Sequence, residues 1–223
     1  MATLTIVFDL DGTLVDTAPD LIDALNVLFA REGLSAIQPE EARKLIGGGV
    51  RQLIERGFSL QGRARAPADI DRLFKDYVAY YAEHIADRSR PFPGVADALD
   101  RLARHRLAIC TNKLEWLSVR LLKTLDLAGR FAVICGQDTF GIQKPDPEIL
   151  RRTVEAAGGE LGAAVMVGDS VTDIMTARAA GIPVVAVDFG YTEIPVAELR
   201  ADRIIDHFDA LPAAVSDLFP GSV

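Results

Sequence analysis

Six short runs of apolar and β-branched residues constrain the fold of this chain more than any other feature of its sequence. They lie at residues 4–8, 106–110, 131–135, 164–167, 183–187 and 203–206. Each run has the length of a buried strand, and amphipathic segments of helical length separate most of the later runs. Strands that alternate with helices form a parallel sheet with helices on both faces. The sequence therefore predicts an α/β fold with such a sheet as its core.

The gap between the first two runs is much longer than the others and contains no convincing strand. Apolar residues recur there at helical spacing, and prolines stand where helices would begin, at Pro19, Pro39 and Pro67. An insertion of this length exceeds any ordinary connection. We therefore expect a helical unit over residues 17–90, above a core formed by residues 1–16 and 91–223.

The composition excludes several classes of partner. The 223 residues have a formal net charge of -8, which argues against nucleic acid. The chain has neither a basic stripe nor a long apolar segment, so we expect no membrane span or surface anchor. It begins directly with a strand, without the features of a signal peptide, and Cys110 and Cys135 lie in apolar runs that favour buried, reduced thiols. These features predict a cytoplasmic protein and leave open whether it is a monomer or a homodimer.

Two aspartates, Asp9 and Asp11, follow the first apolar run in the segment FDLDGT. Residues two apart on a strand face the same side, so the two carboxylates would converge on one site. Like charges that close are unfavourable unless one is protonated. A bound Mg²⁺ removes this difficulty, because it takes oxygen ligands and usually keeps waters and a substrate phosphate. Alternatively the Asp-Gly pair only forms a turn, although a turn and a metal site can coexist.

Polar residues also follow three later runs, and ligands of open parallel sheets bind at the carboxyl ends of strands. Thr111 and Asn112 either cap the next helix or offer donors to phosphate oxygens. Lys144 is either a solvated loop residue or a cation that offsets charge on a transferring phosphoryl group. In GDSVTD, either Asp169 or Ser170 caps the next helix, or Asp169 and Asp173, four residues apart, put two carboxylates on one face of a helix.

Taken together, the segments DLDGT, TN, KPDP and GDSVTD resemble, in this order and at these strand ends, the motifs of the haloacid dehalogenase superfamily. The resemblance covers nearly the whole chain. It implies a Rossmann-like parallel sheet core with a helical cap inserted after the first strand. It also implies a phosphatase that acts on a small phosphorylated metabolite with Mg²⁺ as its cofactor.

The same resemblance implies a role for each motif residue. Asp9 would be the nucleophile that forms an aspartyl-phosphate, and Asp11 the general acid that then acts as a base. Thr111 would bind the phosphoryl group, and Lys144 would orient Asp9 and offset charge. The metal ligands would be Asp9, the backbone carbonyl of Asp11, and Asp169, with support from Asp173.

Two sequence features separate the branches of this superfamily. Dehalogenases lack the second aspartate, so Asp11 favours a phosphatase or a phosphomutase. Sugar phosphomutases have a cap-facing histidine just after the first motif, and the corresponding segment DTAPDL has none. A phosphatase is therefore favoured over a phosphomutase.

The segment LIGGGVRQLIERGF, residues 45–58, is the most unusual part of the inserted helices. Its glycines either break a helix, or Gly47, Gly48 and Gly49 expose backbone N–H groups as an anion site at the start of the next helix, with Arg51 close by. A second anion site suits a substrate with a carboxylate opposite its phosphate. These glycines, DTAPDL and the segment VDFGYTEIPVAEL resemble bacterial phosphoglycolate phosphatases, which implies 2-phosphoglycolate as the substrate. Sugar phosphates, an amino-sugar acid phosphate and pyrophosphate remain alternatives, as does a sugar phosphomutase.

Two other classes of protein are disfavoured. Receiver domains also accept phosphate on an aspartate, but theirs follows the third strand, where Asp138 is the only candidate here, and they have no inserted cap. A catalytically silent binding protein would normally lack a motif residue, and every motif position is filled. In the insertion, Tyr77, Tyr80 and Tyr81 either contact substrate or pack in the core, and packing is favoured.

Overall fold

The computed structural model describes residues 3–192 and 194–220, and its strands follow the predicted runs closely. In chain order they are β1 (Thr5–Phe8), β2 (Val15–Asp16), β3 (Arg90–Pro91), β4 (Arg106–Cys110), β5 (Val133–Cys135), β6 (Ala164–Gly168), β7 (Val184–Val187) and β8 (Arg203–Ile205). Six of these strands form one parallel sheet in the order β5-β4-β1-β6-β7-β8. The predicted α/β fold with a parallel, Rossmann-like sheet is confirmed.

The helices lie between these strands, and four of them fall in the long insertion. They are α1 (Ala18–Arg31), α2 (Pro39–Arg43), α3 (Gly49–Leu60), α4 (Pro67–Glu83), α5 (Val95–Arg101), α6 (Glu115–Thr124), α7 (Pro147–Ala156), α8 (Val171–Ala180) and α9 (Leu211–Leu218). Pro19, Pro39 and Pro67 each stand in the first turn of a helix, as predicted. This position suits proline because the first-turn N–H groups have no partner within the helix.

Alternate residues of the central strands pack on opposite faces of the sheet, because side chains alternate along a strand. On one face Ile6 and Phe8 join an apolar cluster that includes residues of α5, α6 and α9. On the other face Val7 joins a cluster with residues of α7 and α8. The sheet is thus covered on both sides, which leaves the ends of its strands as the place for polar side chains.

The inserted helices pack on one another through apolar and aromatic side chains. Phe29 of α1 meets Phe58 of α3 edge to face, with ring centroids 5.1 Å apart. Tyr77 and Tyr81 of α4 are fully buried, as favoured from the sequence. Where the chain leaves and re-enters the core, β2 and β3 form a short antiparallel pair that was not predicted.

Two further observations concern the chain as a whole. Cys110 and Cys135 are buried free thiols on neighbouring strands, as predicted. Within residues 3–192 and 194–220, no helix combines the length and apolar character needed to cross a membrane.

Candidate active site

The two aspartates of the first motif lie at the carboxyl end of β1, in the middle of the sheet. The Asp9 backbone N–H donates to the Val167 carbonyl of β6 (2.9 Å), which extends the pairing of β1 by one residue. Gly12 then turns the chain with a φ of +85°, and a Cβ at this position would lie 2.6 Å from Asp169 Oδ2. Only glycine fits such a position without strain. The Asp-Gly turn and the carboxylate site therefore coexist.

Three buried carboxylates and one ammonium group meet beside this turn. Asp9, Asp169 and Asp173 each offer an oxygen atom, and these atoms lie within 4.8 Å of one another. Lys144 Nζ lies 2.8 Å from Asp9 Oδ1 and 2.6 Å from Asp173 Oδ1. Although burial opposes its charge, Lys144 has a pKa well above the ordinary value because Asp173 and Asp9 stabilise the ammonium. The solvated-loop alternative for Lys144 is thus excluded.

The electrostatics of this cluster leave it short of positive charge. Burial raises the pKa of Asp9 to about 6, against the opposing attraction of Lys144. Burial raises the pKa of Asp169 to about 8, with a smaller contribution in the same direction from repulsion by Asp173 and Asp9. Asp9 Oδ1 is buried and, apart from its ion pair, has no hydrogen-bond partner among the described residues. A set of convergent carboxylate oxygens with excess negative charge fits a divalent cation.

Hydrogen bonds hold the two later aspartates of the cluster in place. Asp169 Oδ1 accepts from Thr13 Oγ1 and Asp169 Oδ2 accepts from the Tyr191 backbone N–H, both at 2.8 Å. Asp173 Oδ2 accepts from Ser170 N–H and Oγ–H (3.1 and 2.7 Å), while Asp173 Oδ1 faces Lys144. Ser170 and Asp173 thereby form a capping box at the start of α8. Asp173 serves both the helix end and the carboxylate cluster, whereas Asp169 does not cap the helix.

Thr111 and Asn112 follow β4 and do not cap α6, whose first residue is Glu115 and whose N-cap is Leu114. Asn112 Oδ1 accepts from the Lys144 backbone N–H (2.8 Å), and Asn112 Nδ2 donates to the Lys144 carbonyl (3.1 Å) and to the Gly47 carbonyl (3.2 Å). Asn112 therefore fixes the loop that carries Lys144 and also contacts the insertion. Thr111 lines a cavity together with Asp9 and Asp11.

Lys113 is a site residue that was not predicted from the sequence, and it contacts Tyr81, for which core packing was favoured over a contact with substrate. Lys113 Nζ lies 3.0 and 3.2 Å from the two carboxylate oxygens of Asp11 and donates to Tyr81 Oη at 2.9 Å. The ammonium also lies 4.5 Å from the centroid of the Tyr81 ring. The signal available in the sequence was the basic residue directly after Thr111 and Asn112. Tyr81 packs in the core as expected, but its hydroxyl reaches the site.

The cavity at the carboxyl end of β1 has a polar floor and an apolar cover. The floor consists of residues that follow strands of the sheet, namely Asp9, Asp11, Thr111, Asn112 and Lys113. The cover consists of residues from the insertion, namely Leu21, Ile46, Gly47, Gly49, Val50 and Leu53. Such an arrangement shields polar side chains from bulk water, which strengthens their electrostatic interactions.

The glycine run contributes to this cavity only in part. Gly49 begins α3 with a φ of +82°, and a Cβ there would lie 2.9 Å from the Asn112 carbonyl oxygen. Gly49 thus permits a close approach of the insertion to the strand ends. Gly48 does not line the cavity, and lies instead in a surface groove that Ser170 also lines.

The structure does not bring Arg51 to the cavity either. Its guanidinium pairs with Asp71 of α4 at 2.5 Å and lies over the Phe74 ring, and the side chain is about half exposed. Val50 and Leu53 take the face of α3 that covers the cavity. Arg51 projects from a different face of the helix, toward α4.

Comparison with known proteins agrees with this geometry. The haloacid dehalogenase-like hydrolase family model matches residues 6–187. A phosphoglycolate phosphatase from Mesorhizobium japonicum is 50% identical over 219 residues, which are 97% of this chain and 96% of that protein. A phosphoglycolate phosphatase from Agrobacterium fabrum is 44% identical, over 94% of this chain and 91% of that protein.

Solved structures share the whole fold. A predicted phosphoglycolate phosphatase from Haemophilus somnus has a TM-score of 0.89 and 27% identity, over 95% of this chain and 97% of that one. CbbY from Rhodobacter sphaeroides, in complex with phosphate, has a TM-score of 0.82 and 26% identity, over 97% of this chain and 100% of that one.

The sheet, the carboxylate cluster and these matches together define the class of the protein. The chain belongs to the haloacid dehalogenase-like hydrolase family, which confirms the resemblance predicted from the four motifs. Within that family it is a phosphatase, similar over nearly its full length to the phosphoglycolate phosphatases of Mesorhizobium japonicum and Agrobacterium fabrum.

Proposed function

We propose that this chain is a Mg²⁺-dependent phosphomonoesterase that hydrolyses 2-phosphoglycolate to glycolate and phosphate. The observation that carries the proposal is the polar floor of the cavity, where Asp9 and Asp11 lie beside two buried ammonium groups, Lys144 and Lys113. The names of the two bacterial relatives support the choice of substrate.

In the first step an oxygen of Asp9 attacks the phosphorus atom, and the bond between phosphorus and the ester oxygen breaks. Asp11 gives its proton to the departing glycolate oxygen, and the phosphoryl group stays on Asp9 as an aspartyl-phosphate. Asp11, now a base, takes a proton from the water that attacks this intermediate, the bond between phosphorus and Asp9 breaks, and phosphate leaves with the Asp9 carboxylate restored. A carboxylate nucleophile thus divides one difficult hydrolysis into two displacements.

Residues beside Asp9 and Asp11 position the reacting groups. Lys144 holds Asp9 through its ion pair and offsets the charge on the phosphoryl oxygens. Thr111 and Asn112 lie at the same strand end, and Thr111 binds a phosphoryl oxygen. Asn112 acts through Lys144, because its side chain bonds both the backbone N–H and the carbonyl of Lys144.

The residues that would hold Mg²⁺ are Asp9, the backbone carbonyl of Asp11, and Asp169, with Asp173 in support. The carboxylate oxygens of Asp9, Asp169 and Asp173 converge, and their surplus negative charge suits a hard divalent cation. When bound, Mg²⁺ stabilises the negative charge of the transferring phosphoryl group.

We further propose that residues 17–90 form a cap over a core of residues 1–16 and 91–223. The division of the cavity between a polar floor from the core and an apolar cover from the insertion supports this assignment. A cap that closes over the substrate excludes water and completes the site. The free, buried thiols support a cytoplasmic location.

The test is phosphate release with Mg²⁺ from a panel of 2-phosphoglycolate, 3-phosphoglycerate, a hexose phosphate and pyrophosphate. We expect a clear preference for 2-phosphoglycolate. Asp9→Asn should nearly abolish turnover and leave the fold intact. Asp188→Asn is the matched control, because Asp188 also follows a strand of the sheet but is exposed.

Two results would contradict the proposal at different levels. A loss of less than about tenfold in Asp9→Asn, about 1.4 kcal/mol in the barrier, would refute Asp9 as the nucleophile. A flat or sugar-favouring profile would leave the chemistry in place and reject 2-phosphoglycolate as the substrate.

A further inference from the structure

Lys113 is a buried cation in the cavity whose task the reaction steps above leave unassigned. Among the residues that the structure describes, it is the one basic side chain that lines the cavity. Its side chain is 2% exposed. Lys144 already serves Asp9 and the phosphoryl group, so Lys113, which pairs with Asp11, is the ammonium group left to face a second negative charge in the ligand.

The position of Lys113 fits a particular distance between two charges of a substrate. Its Nζ lies 3.0 Å from Asp11 Oδ1, so the ammonium and the proposed general acid are direct neighbours. In 2-phosphoglycolate a single methylene group separates the ester oxygen from the carboxylate. The group that protonates the ester oxygen and the group that binds the carboxylate must therefore stand side by side, as Asp11 and Lys113 do.

Tyr81 gives Lys113 a fixed orientation. An ammonium group has three N–H donors, and one of them is directed to Tyr81 Oη at 2.9 Å. The others face the two oxygens of Asp11. When one oxygen of Asp11 turns to the ester oxygen of the substrate, the Lys113 N–H that donated to that oxygen becomes free to bind a carboxylate of the ligand.

We propose that Lys113 binds the carboxylate of the substrate and makes the site selective for phosphate esters with a carboxylate one methylene from the ester oxygen. This inference rests on the proposed function. It differs from the earlier expectation of an anion site formed by Gly47, Gly48 and Gly49 with Arg51 close by, since Gly47 and Gly49 line the cavity whereas Gly48 and Arg51 do not.

The test compares 2-phosphoglycolate with its neutral amide, 2-phosphoglycolamide, which has nearly the same shape. Phosphate release is measured for the wild-type enzyme with Mg²⁺, for Lys113→Met and for Lys123→Met. Lys123 is an exposed lysine of α6 and serves as the matched control. We expect the wild-type and control enzymes to prefer the carboxylate ester by about tenfold or more in kcat/KM, as for a hydrogen bond between charged groups. In Lys113→Met the two esters should be used about equally, chiefly because KM for 2-phosphoglycolate rises.

The ratio of kcat/KM for the two esters separates a role of Lys113 in binding the substrate from a purely structural role. If Lys113 only orients Asp11, its loss lowers kcat/KM for both esters by the same factor, and an unchanged ratio overturns the inference alone. Release from neither ester by the wild-type enzyme overturns the proposed function as well.

A second variant, Tyr81→Phe, keeps the buried ring and removes the hydroxyl that orients Lys113. We expect it to lower the preference for the carboxylate ester while the melting temperature stays close to that of the wild type. An unchanged preference in Tyr81→Phe, with a folded protein, contradicts the inference even if Lys113→Met does not fold.

Discussion

Replacing Lys144 by methionine removes the ammonium group that lies between Asp9 and Asp173. The Lys144 side chain is 1% exposed, and its Nζ is 2.8 and 2.6 Å from the two carboxylates. Removing one partner of a buried ion pair costs about 3–5 kcal/mol, because the remaining charge is left buried and unpaired. For a chain of 223 residues, this corresponds to a melting temperature lower by about 6–11 °C.

The assay is thermal unfolding followed by circular dichroism in buffer without divalent cations, and again with Mg²⁺. The loss should be largest without the cation and smaller with it, because a bound cation compensates part of the missing positive charge. Lys123→Met, at an exposed position of α6, should unfold within about 1–2 °C of the wild type. A decrease of less than about 2 °C for Lys144→Met without Mg²⁺ would refute the reasoning, since it corresponds to less than about 1 kcal/mol.

Two further predictions concern the carboxylate cluster. Because the pKa of Asp9 is raised from 3.8 to about 6 and that of Asp169 from 3.8 to about 8, the native state without a bound cation holds protons that the unfolded chain has released. The stability from these two groups is complete below about pH 4 and is lost as the pH rises through 6 and 8. The melting temperature of the metal-free protein should therefore fall between about pH 4 and pH 8. Asp169→Asn should make this fall smaller. A melting temperature of the wild type that rises over the same pH range would contradict the reasoning. Gly190→Ala would push its Cβ into the Asp169 side chain, so the Mg²⁺ concentration for half-maximal activity should rise by about tenfold or more. The control Gly162→Ala should leave this concentration unchanged, because a Cβ there meets nothing within 4 Å. Equal Mg²⁺ concentrations for the two variants would show that Asp169 does not depend on this close packing.

Much of the sheet could be predicted from the sequence because its strands are buried on both faces and consist of short apolar runs. The first and last residues of the strands could be predicted less well. The run at 131–135 forms a strand only from Val133, where pairing with Ala108 of β4 begins. Phe131 packs against the Phe8 ring instead, with centroids 6.2 Å apart. Such a boundary depends on the neighbouring strand, which local sequence does not describe.

The candidate site could be predicted where a residue type and a strand end together determine its position. Asp9 and Asp169 lie close together for that reason, and Asp173 follows in the first turn of α8. Lys144 lies in the loop after β5 and reaches them because Asn112 holds its backbone. The capping alternative for the last motif does not exclude the carboxylate cluster, because Asp173 takes part in both the capping box of α8 and the cluster.

The contribution of the insertion could not be predicted in the same way. The rotation of α3 about its axis directs Val50 to the cavity and Arg51 to Asp71. The packing of α4 on the core brings Tyr81 to Lys113. Both depend on how the helices of the insertion pack on one another and on the core, and helical periodicity alone does not contain that information.

The most direct test of the account is to identify the residue that receives the phosphoryl group. The enzyme is mixed with 2-phosphoglycolate and Mg²⁺, stopped during turnover, and treated with borohydride, which reduces an acyl phosphate to the alcohol. Mass spectrometry of the peptide that contains Asp9 and Asp11 then locates the reduced side chain. We predict reduction at Asp9, and its absence in Asp9→Asn. Reduction at Asp11, or no reduced peptide during active turnover, would contradict the central claim that Asp9 is the nucleophile.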